Sequence, residues 1–203
     1  MADKISPELE EIHTKLFGGF EYHKVRVYNW EDFEDWYNSE DAGIGGDYAI
    51  IEIYTSPGKP VLPDYIQGMF PTSIIALDFE DMPEDVDFPD SKYHPLNPTI
   101  NYGQAEQLVR FIEYNMEMGK DFIVHCGAGV SRSQQVAEYI MLVSHQTYEY
   151  DYEESTHNHY FSQTIVLSRL LEMKHKIFPD FDNKDNRMVY NNTLDKWVDS
   201  SLT

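Results

Sequence analysis

The 203-residue chain has a single cysteine, Cys126, and its neighbours are the kinds of residue that could put it to work. It sits in His125-Cys126-Gly127-Ala128-Gly129-Val130-Ser131-Arg132-Ser133. Before this run lies a short apolar segment, Asp121 to His125, which reads as a strand. After it, Arg132 to Ser144 reads as a helix. Gly127, Ala128 and Gly129 leave the backbone unobstructed, so successive N–H groups can converge on one point. The positive end of the following helix adds to that field. The expected product is a site for a tetrahedral oxyanion formed by Gly127, Ala128, Gly129, Val130, Ser131 and Arg132. A field of this kind favours thiolate over thiol. A thiolate beneath a bound phosphate is placed for in-line attack on phosphorus.

Arg132 stands six positions after Cys126, at the first turn of the helix. Its planar fork can hold two phosphate oxygens and balance charge on the equatorial oxygens. Ser133 can donate its hydroxyl to the sulfur and help it leave in a second step. His125 is expected to hydrogen-bond around the loop and keep its shape, because a thiolate needs no base. Two plainer readings exist. A lone cysteine is often a small core hydrophobe, and Gly-rich strand-to-helix loops also bind nucleotides without covalent chemistry. The Gly-Lys-Ser/Thr of a Walker-type loop is absent.

The run resembles the signature loop of protein tyrosine phosphatases, and in its Ala-Gly-x-Ser-Arg-Ser it is similar to the dual-specificity branch. The resemblance implies a protein-tyrosine or dual-specificity phosphatase with Cys126 as nucleophile, Arg132 as phosphate clamp and Ser133 as an aid to hydrolysis. It implies no metal and no cofactor. It also implies an upstream Asp that protonates the leaving oxygen. The candidates are Asp78, Asp81, Asp85, Asp87 and Asp90. Asp81 is preferred, because Phe79-Glu80-Asp81-Met82 resembles a Phe-x-Asp of small bacterial and viral enzymes of this type, and Asp85 is second. Asp81 lies 45 positions before Cys126, a longer spacing than compact members have. Residues 83–100 read as an inserted segment. Asn158, ahead of the helix from Tyr160, resembles an Asn that supports the loop in this family; a helix cap is the alternative. His157 and His159 flank it without an indicated third metal ligand.

The rest of the chain supplies a scaffold. Tyr22–Tyr28, Tyr48–Tyr54 and Ser73–Phe79 read as further strands. Helices are expected over 6–17, 30–37, 104–118 and 160–177, with Ala105, Leu108, Val109, Ile112 and Met116 on one face of the third. Residues 55–63 and 80–101 read as loops, 148–159 as a polar connector, and the stretch after 178 as weakly patterned. Strands alternating with helices indicate an α/β fold, a central mostly parallel sheet flanked by helices. The expected division is a helical extension over 1–20, a phosphatase domain over 21–178 and a polar tail over 179–203.

Composition narrows the partners. The chain carries 15 Lys and Arg against 36 Asp and Glu, a net charge of −21. Such a charge repels phosphate backbones and anionic lipids, so nucleic acid and membranes are poor partners. It either favours a basic protein partner or simply aids solubility. A partner-sequestering acidic protein, or a catalytically weak phosphate-binding module on the same fold, is therefore the alternative to an enzyme. The loop has no lysine, which together with the charge points to phosphoprotein, phosphotyrosine before phosphoserine or phosphothreonine. One cysteine builds no internal disulfide, there is no long apolar run, and the N-terminus lacks an apolar signal segment. A reducing cytoplasm is the expected compartment.

Overall fold

The computed structural model describes residues 22–39, 46–56, 58–80, 99–144, 147–151, 155, 165–179, 188–191 and 196–199. Strand β1 (His23–Tyr28) is followed by α1 (Trp30–Asn38), β2 (Tyr48–Tyr54), α2 (Asp64–Met69) and β3 (Ile74–Asp78). Then come α3 (Tyr102–Glu117), β4 (Asp121–His125), α4 (Arg132–Val143), β5 (Tyr148–Tyr150) and α5 (Ile165–Ile177). Strands β6 (Met188–Asn191) and β7 (Lys196–Asp199) end the order.

The first five strands form one sheet in the order β3-β2-β4-β1-β5, and every pair is parallel. The fold is α/β, a parallel sheet flanked by helices, as its alternating pattern implies. β4 is central, so it must be apolar on both faces. Phe122, Ile123 and Val124 are all fully buried. Alternation along the strands divides the core in two. Phe122 and Val124 join Val25, Val27, Ala49, Ile51 and Ile53 beneath α3, α4 and α5. Ile123 joins Tyr28, Ile50, Ile74, Leu62 and Phe33 on the α1 side.

The helices that frame the site have clear starts. Asn29 caps α1, its side chain accepting the Asp32 N–H at 2.8 Å. Glu31 and Asp32 add negative charge where the helix dipole is positive. α3 opens with a reciprocal box: Asn101 accepts the Gln104 N–H at 2.9 Å, and the Gln104 side chain accepts the Asn101 N–H at 3.0 Å. The Gln104 amide also donates to the Asp78 carbonyl at 2.8 Å, which ties α3 to the end of β3. Ala105, Leu108, Val109 and Ile112 face the core, and Met116 packs against it partly buried.

Four elements differ from the sequence reading. Tyr148–Tyr150 belongs to the sheet, pairing with His23–Val25, although 148–159 reads as a connector. A strand of three residues carrying an exposed-type Glu149 gives alternation no room to show. α2 follows the proline-bearing loop and was not expected; it buries no residue and so has no apolar stripe to betray it. β6 and β7 pair antiparallel within the stretch that reads as weakly patterned. The expected helix over 6–17 lies outside the described residues, as do residues 160–164 ahead of α5. Among the described residues, no helix is long and apolar enough to cross a membrane.

Candidate active site

The carboxyl ends of four parallel strands converge on one region, where ligands of open α/β sheets bind. Asn29 follows β1, Thr55 follows β2, Phe79 follows β3 and Cys126 follows β4. Cys126 is 2% exposed, at the base of the loop from β4 into α4. Its Sγ accepts the Gly129 N–H at 3.3 Å and lies 3.1 Å from Ser133 Oγ. The Ser133 side chain is fully buried, so this contact is shielded from water.

The loop is held from outside. The Gly127 carbonyl accepts the Trp30 N–H at 3.2 Å, engaging α1. The Gly129 carbonyl accepts the Gln134 side-chain amide at 3.1 Å. Gln134 is buried and also bonds the Tyr150 hydroxyl at 3.0 Å, so the unexpected strand β5 braces the loop. Gly129 has φ +71°, the left-handed region that glycine enters without penalty. A Cβ there would lie 2.8 Å from the Asn29 nitrogen. Ser131 begins α4 without a side-chain cap, and the Gln135 amide reaches its hydroxyl at 3.4 Å. Ala128 and Val130 lie exposed on the rim.

Arg132 is braced as well. Its Nη1 donates to Thr55 Oγ1 and to the Phe79 carbonyl, each at 2.7 Å. Its Nη2 approaches Gly127, lying 3.6 Å from where a Cβ of that residue would stand. Thr55 is itself fixed, its carbonyl accepting the Gly58 N–H at 2.7 Å. Cys126, Arg132 and Ser133 therefore meet around one loop, and Thr55, Trp30 and Gln134 hold it. Thr55 gave no sequence signal, because sheet pairing alone brings it to Arg132.

His125 does not behave as the sequence reading expects. It is fully buried on the α1 face, stacked on Phe33 with ring centroids 3.9 Å apart. Among the described residues neither ring nitrogen has a hydrogen-bond partner, so it makes no bond around the loop. Its Nε2 instead lies 3.5 Å from Oε1 of Glu52, another fully buried side chain. An ionisable group in the middle of Tyr48-Ala-Ile-Ile-Glu-Ile-Tyr54 was the available signal for this pair, since charge in a buried strand needs a partner.

Asp78 is committed to the scaffold. Its carboxylate accepts the Ser56 N–H at 3.0 Å and the Ser56 hydroxyl at 2.5 Å. Asp81, Asp85, Asp87, Asp90 and Asn158 lie outside the described residues, as do His157 and His159. Among the described residues, no group of three or more His, Cys, Asp or Glu is placed to hold a metal ion.

No protein-family model matches the chain, and no curated protein matches it. Among solved structures, the chain is similar to the crystal structure of Tk-PTP in the active form, at 13% identity and a TM-score of 0.34. That alignment covers 77% of this chain and 81% of the other.

Proposed function

We propose that the protein is a cysteine-dependent phosphatase that hydrolyses phosphomonoesters through a phosphocysteine on Cys126. The observation that carries this reading is the environment of one sulfur. Cys126 Sγ has a backbone N–H at 3.3 Å and a buried hydroxyl at 3.1 Å, at the mouth of a helix whose first residue is a braced arginine.

In the first step the thiolate attacks phosphorus, an S–P bond forms and the P–O bond to the leaving group breaks. The leaving oxygen takes a proton from an acid, which we assign to Asp81. That assignment is supported by the commitment of Asp78, whose two oxygens are engaged by Ser56, and by the place of Asp81 in the sequence, two residues after Phe79, whose carbonyl Arg132 holds. In the second step water attacks phosphorus and gives a proton to the carboxylate left on Asp81, the S–P bond breaks, and the Ser133 hydroxyl stabilises the departing thiolate. Arg132 and the loop amides hold the equatorial oxygens throughout. No step calls for a metal or a cofactor.

The substrate class we favour is phosphoprotein, phosphotyrosine first. A loop without lysine and a net charge of −21 both disfavour polyanionic lipids and nucleic acids. The test is release of phosphate from p-nitrophenyl phosphate and a panel of phosphopeptides, with Cys126→Ser as the control. Turnover that needs reductant and is stopped by vanadate supports the reading; equal inactivity of wild type and variant sinks it.

A further inference from the structure

The exits of β2 and β3 are laced together around Thr55. Tyr54 and Asp78 are register partners, so Ser56 lies just beyond the paired residues. One oxygen of the Asp78 carboxylate accepts the Ser56 N–H at 3.0 Å and the other accepts the Ser56 hydroxyl at 2.5 Å. A carboxylate offers two acceptors and no donor, which matches the two donors of Ser56. On the other side of Thr55, the Tyr54 carbonyl accepts the Phe79 N–H at 3.1 Å. The Thr55 carbonyl accepts the Gly58 N–H at 2.7 Å, in a turn so tight that a Cβ on Gly58 would lie 2.6 Å from that oxygen. Asp78 is held in turn: its carbonyl accepts the side-chain amide of Gln104, a member of the box that opens α3. Both peptide groups flanking Thr55 are thereby fixed. Its β-branched side chain has few rotamers left, and its hydroxyl accepts from Arg132 Nη1 at 2.7 Å.

We infer that Asp78 is a positioning residue for the phosphate clamp: through Ser56 it fixes the backbone of Thr55, and Thr55 fixes the guanidinium of Arg132. The role rests on the reading of Arg132 as the clamp, but its signature does not depend on turnover. Arg132 Nη1 also donates to the carbonyl of Phe79, the residue after Asp78, at 2.7 Å. The end of β3 thus holds the guanidinium directly and, through Ser56 and Thr55, a second time. Without the carboxylate both Ser56 donors turn to water and the turn after β2 loosens. Arg132 must then be ordered by the arriving anion, at the expense of affinity.

The experiment measures binding of tungstate, a tetrahedral oxyanion that stands in for phosphate, by titration calorimetry. It compares wild type, Asp78→Ala, Asp78→Asn, Ser56→Ala, Thr55→Val and the double variant of Asp78→Ala with Thr55→Val. Asparagine still accepts the Ser56 N–H, and its amide can donate to Ser56 Oγ, so Asp78→Asn is expected to bind at least as tightly as wild type. Asp78→Ala loses both bonds and is expected to bind about tenfold more weakly; Ser56→Ala loses one and is expected to bind about threefold more weakly. In the Thr55→Val background Asp78→Ala is expected to weaken binding by no more than about twofold further, because the link to Arg132 is already gone. Wild-type affinity in Asp78→Ala, an equal loss with and without the Thr55 hydroxyl, or Asp78→Asn as weak as Asp78→Ala overturns the inference.

Should Asp78→Ala fail to fold, Ser56→Ala decides: its loss must disappear in the Thr55→Val background, and an equal loss in both overturns the inference. Turnover of phenyl phosphate, whose leaving group needs a proton, should persist in Asp78→Asn. Its collapse there would make Asp78 the acid and overturn the positioning role. Tungstate binding with the expected pattern, in a protein that hydrolyses no phosphomonoester, refutes the proposed reaction and leaves the role of Asp78 standing.

Discussion

Arg132 Nη1 donates to Thr55 Oγ1 at 2.7 Å, and Thr55 is fixed in turn by the Gly58 N–H on its carbonyl. The same nitrogen donates to the Phe79 carbonyl at 2.7 Å. One nitrogen of the guanidinium is thus spent on the scaffold, at the ends of β2 and β3. The fork stays in one orientation before any anion arrives, which reduces the ordering that binding must supply.

Thr55→Val keeps the shape of the side chain and removes the hydroxyl. A hydrogen bond to a charged group contributes about 1.5–3 kcal/mol, so kcat/KM should fall about tenfold or more. Steady-state kinetics on p-nitrophenyl phosphate, with thermal unfolding as a fold check, measure it. Unchanged kinetics in a folded variant remove Thr55 from the account.

Ser133→Ala removes the hydroxyl 3.1 Å from Cys126 Sγ. That hydroxyl serves the departing thiolate, so the second step should slow more than the first. Stopped-flow kinetics should show a burst of nitrophenol near one equivalent, then steady turnover about 10- to 100-fold below wild type. Loss of the burst together with the steady rate would mean the hydroxyl serves attack instead.

Gly129→Ala meets two obstacles. The backbone is at φ +71°, and the new Cβ would lie 2.8 Å from the Asn29 nitrogen and 3.0 Å from the Tyr28 carbonyl carbon. Strain of this kind costs about 1–3 kcal/mol, and Tm should fall by several degrees. Activity should fall further than stability, because the displaced N–H is the one on Sγ. A variant with wild-type Tm and activity contradicts the loop geometry.

Tyr139 is fully buried, and its hydroxyl has no partner among the described residues. Burial, with Glu113 adding, holds its phenol above the ordinary tyrosine range. Above about pH 10 the unfolded chain loses this proton while the folded chain keeps it. The stability it contributes is therefore complete below about pH 10 and is lost as pH rises towards the folded value, by about 1.4 kcal/mol per pH unit. Tyr139→Phe should be at least as stable as wild type at neutral pH and should have a shallower alkaline limb. Denaturant titrations at neutral and alkaline pH test both halves.

How much of this was legible in the sequence follows from what is local. Cys126, Arg132 and Ser133 are within eight residues, and strand-loop-helix periodicity frames them. Their spacing alone implies that they meet. The parallel sheet is legible because Ile50, Ile51, Phe122, Ile123 and Val124 make runs apolar on both faces. Thr55 was not legible as a site residue, because the sheet, not spacing, brings the end of β2 to Arg132. His125 was given the wrong partner for the same reason: the loop is its neighbour in sequence, but Glu52 and Phe33 are its neighbours in space. β5 was missed because three residues are too short for a pattern, although Tyr150 braces the loop through Gln134.

The central claim is a covalent bond between Cys126 and phosphorus. Turnover of p-nitrophenyl phosphate is quenched with acid, and the peptide holding Cys126 is weighed by mass spectrometry. The account predicts one added phosphate on Cys126, more of it in Ser133→Ala, and none in Cys126→Ser. Phosphate release at an undiminished rate by Cys126→Ser, or by protein whose Cys126 has been alkylated, contradicts it.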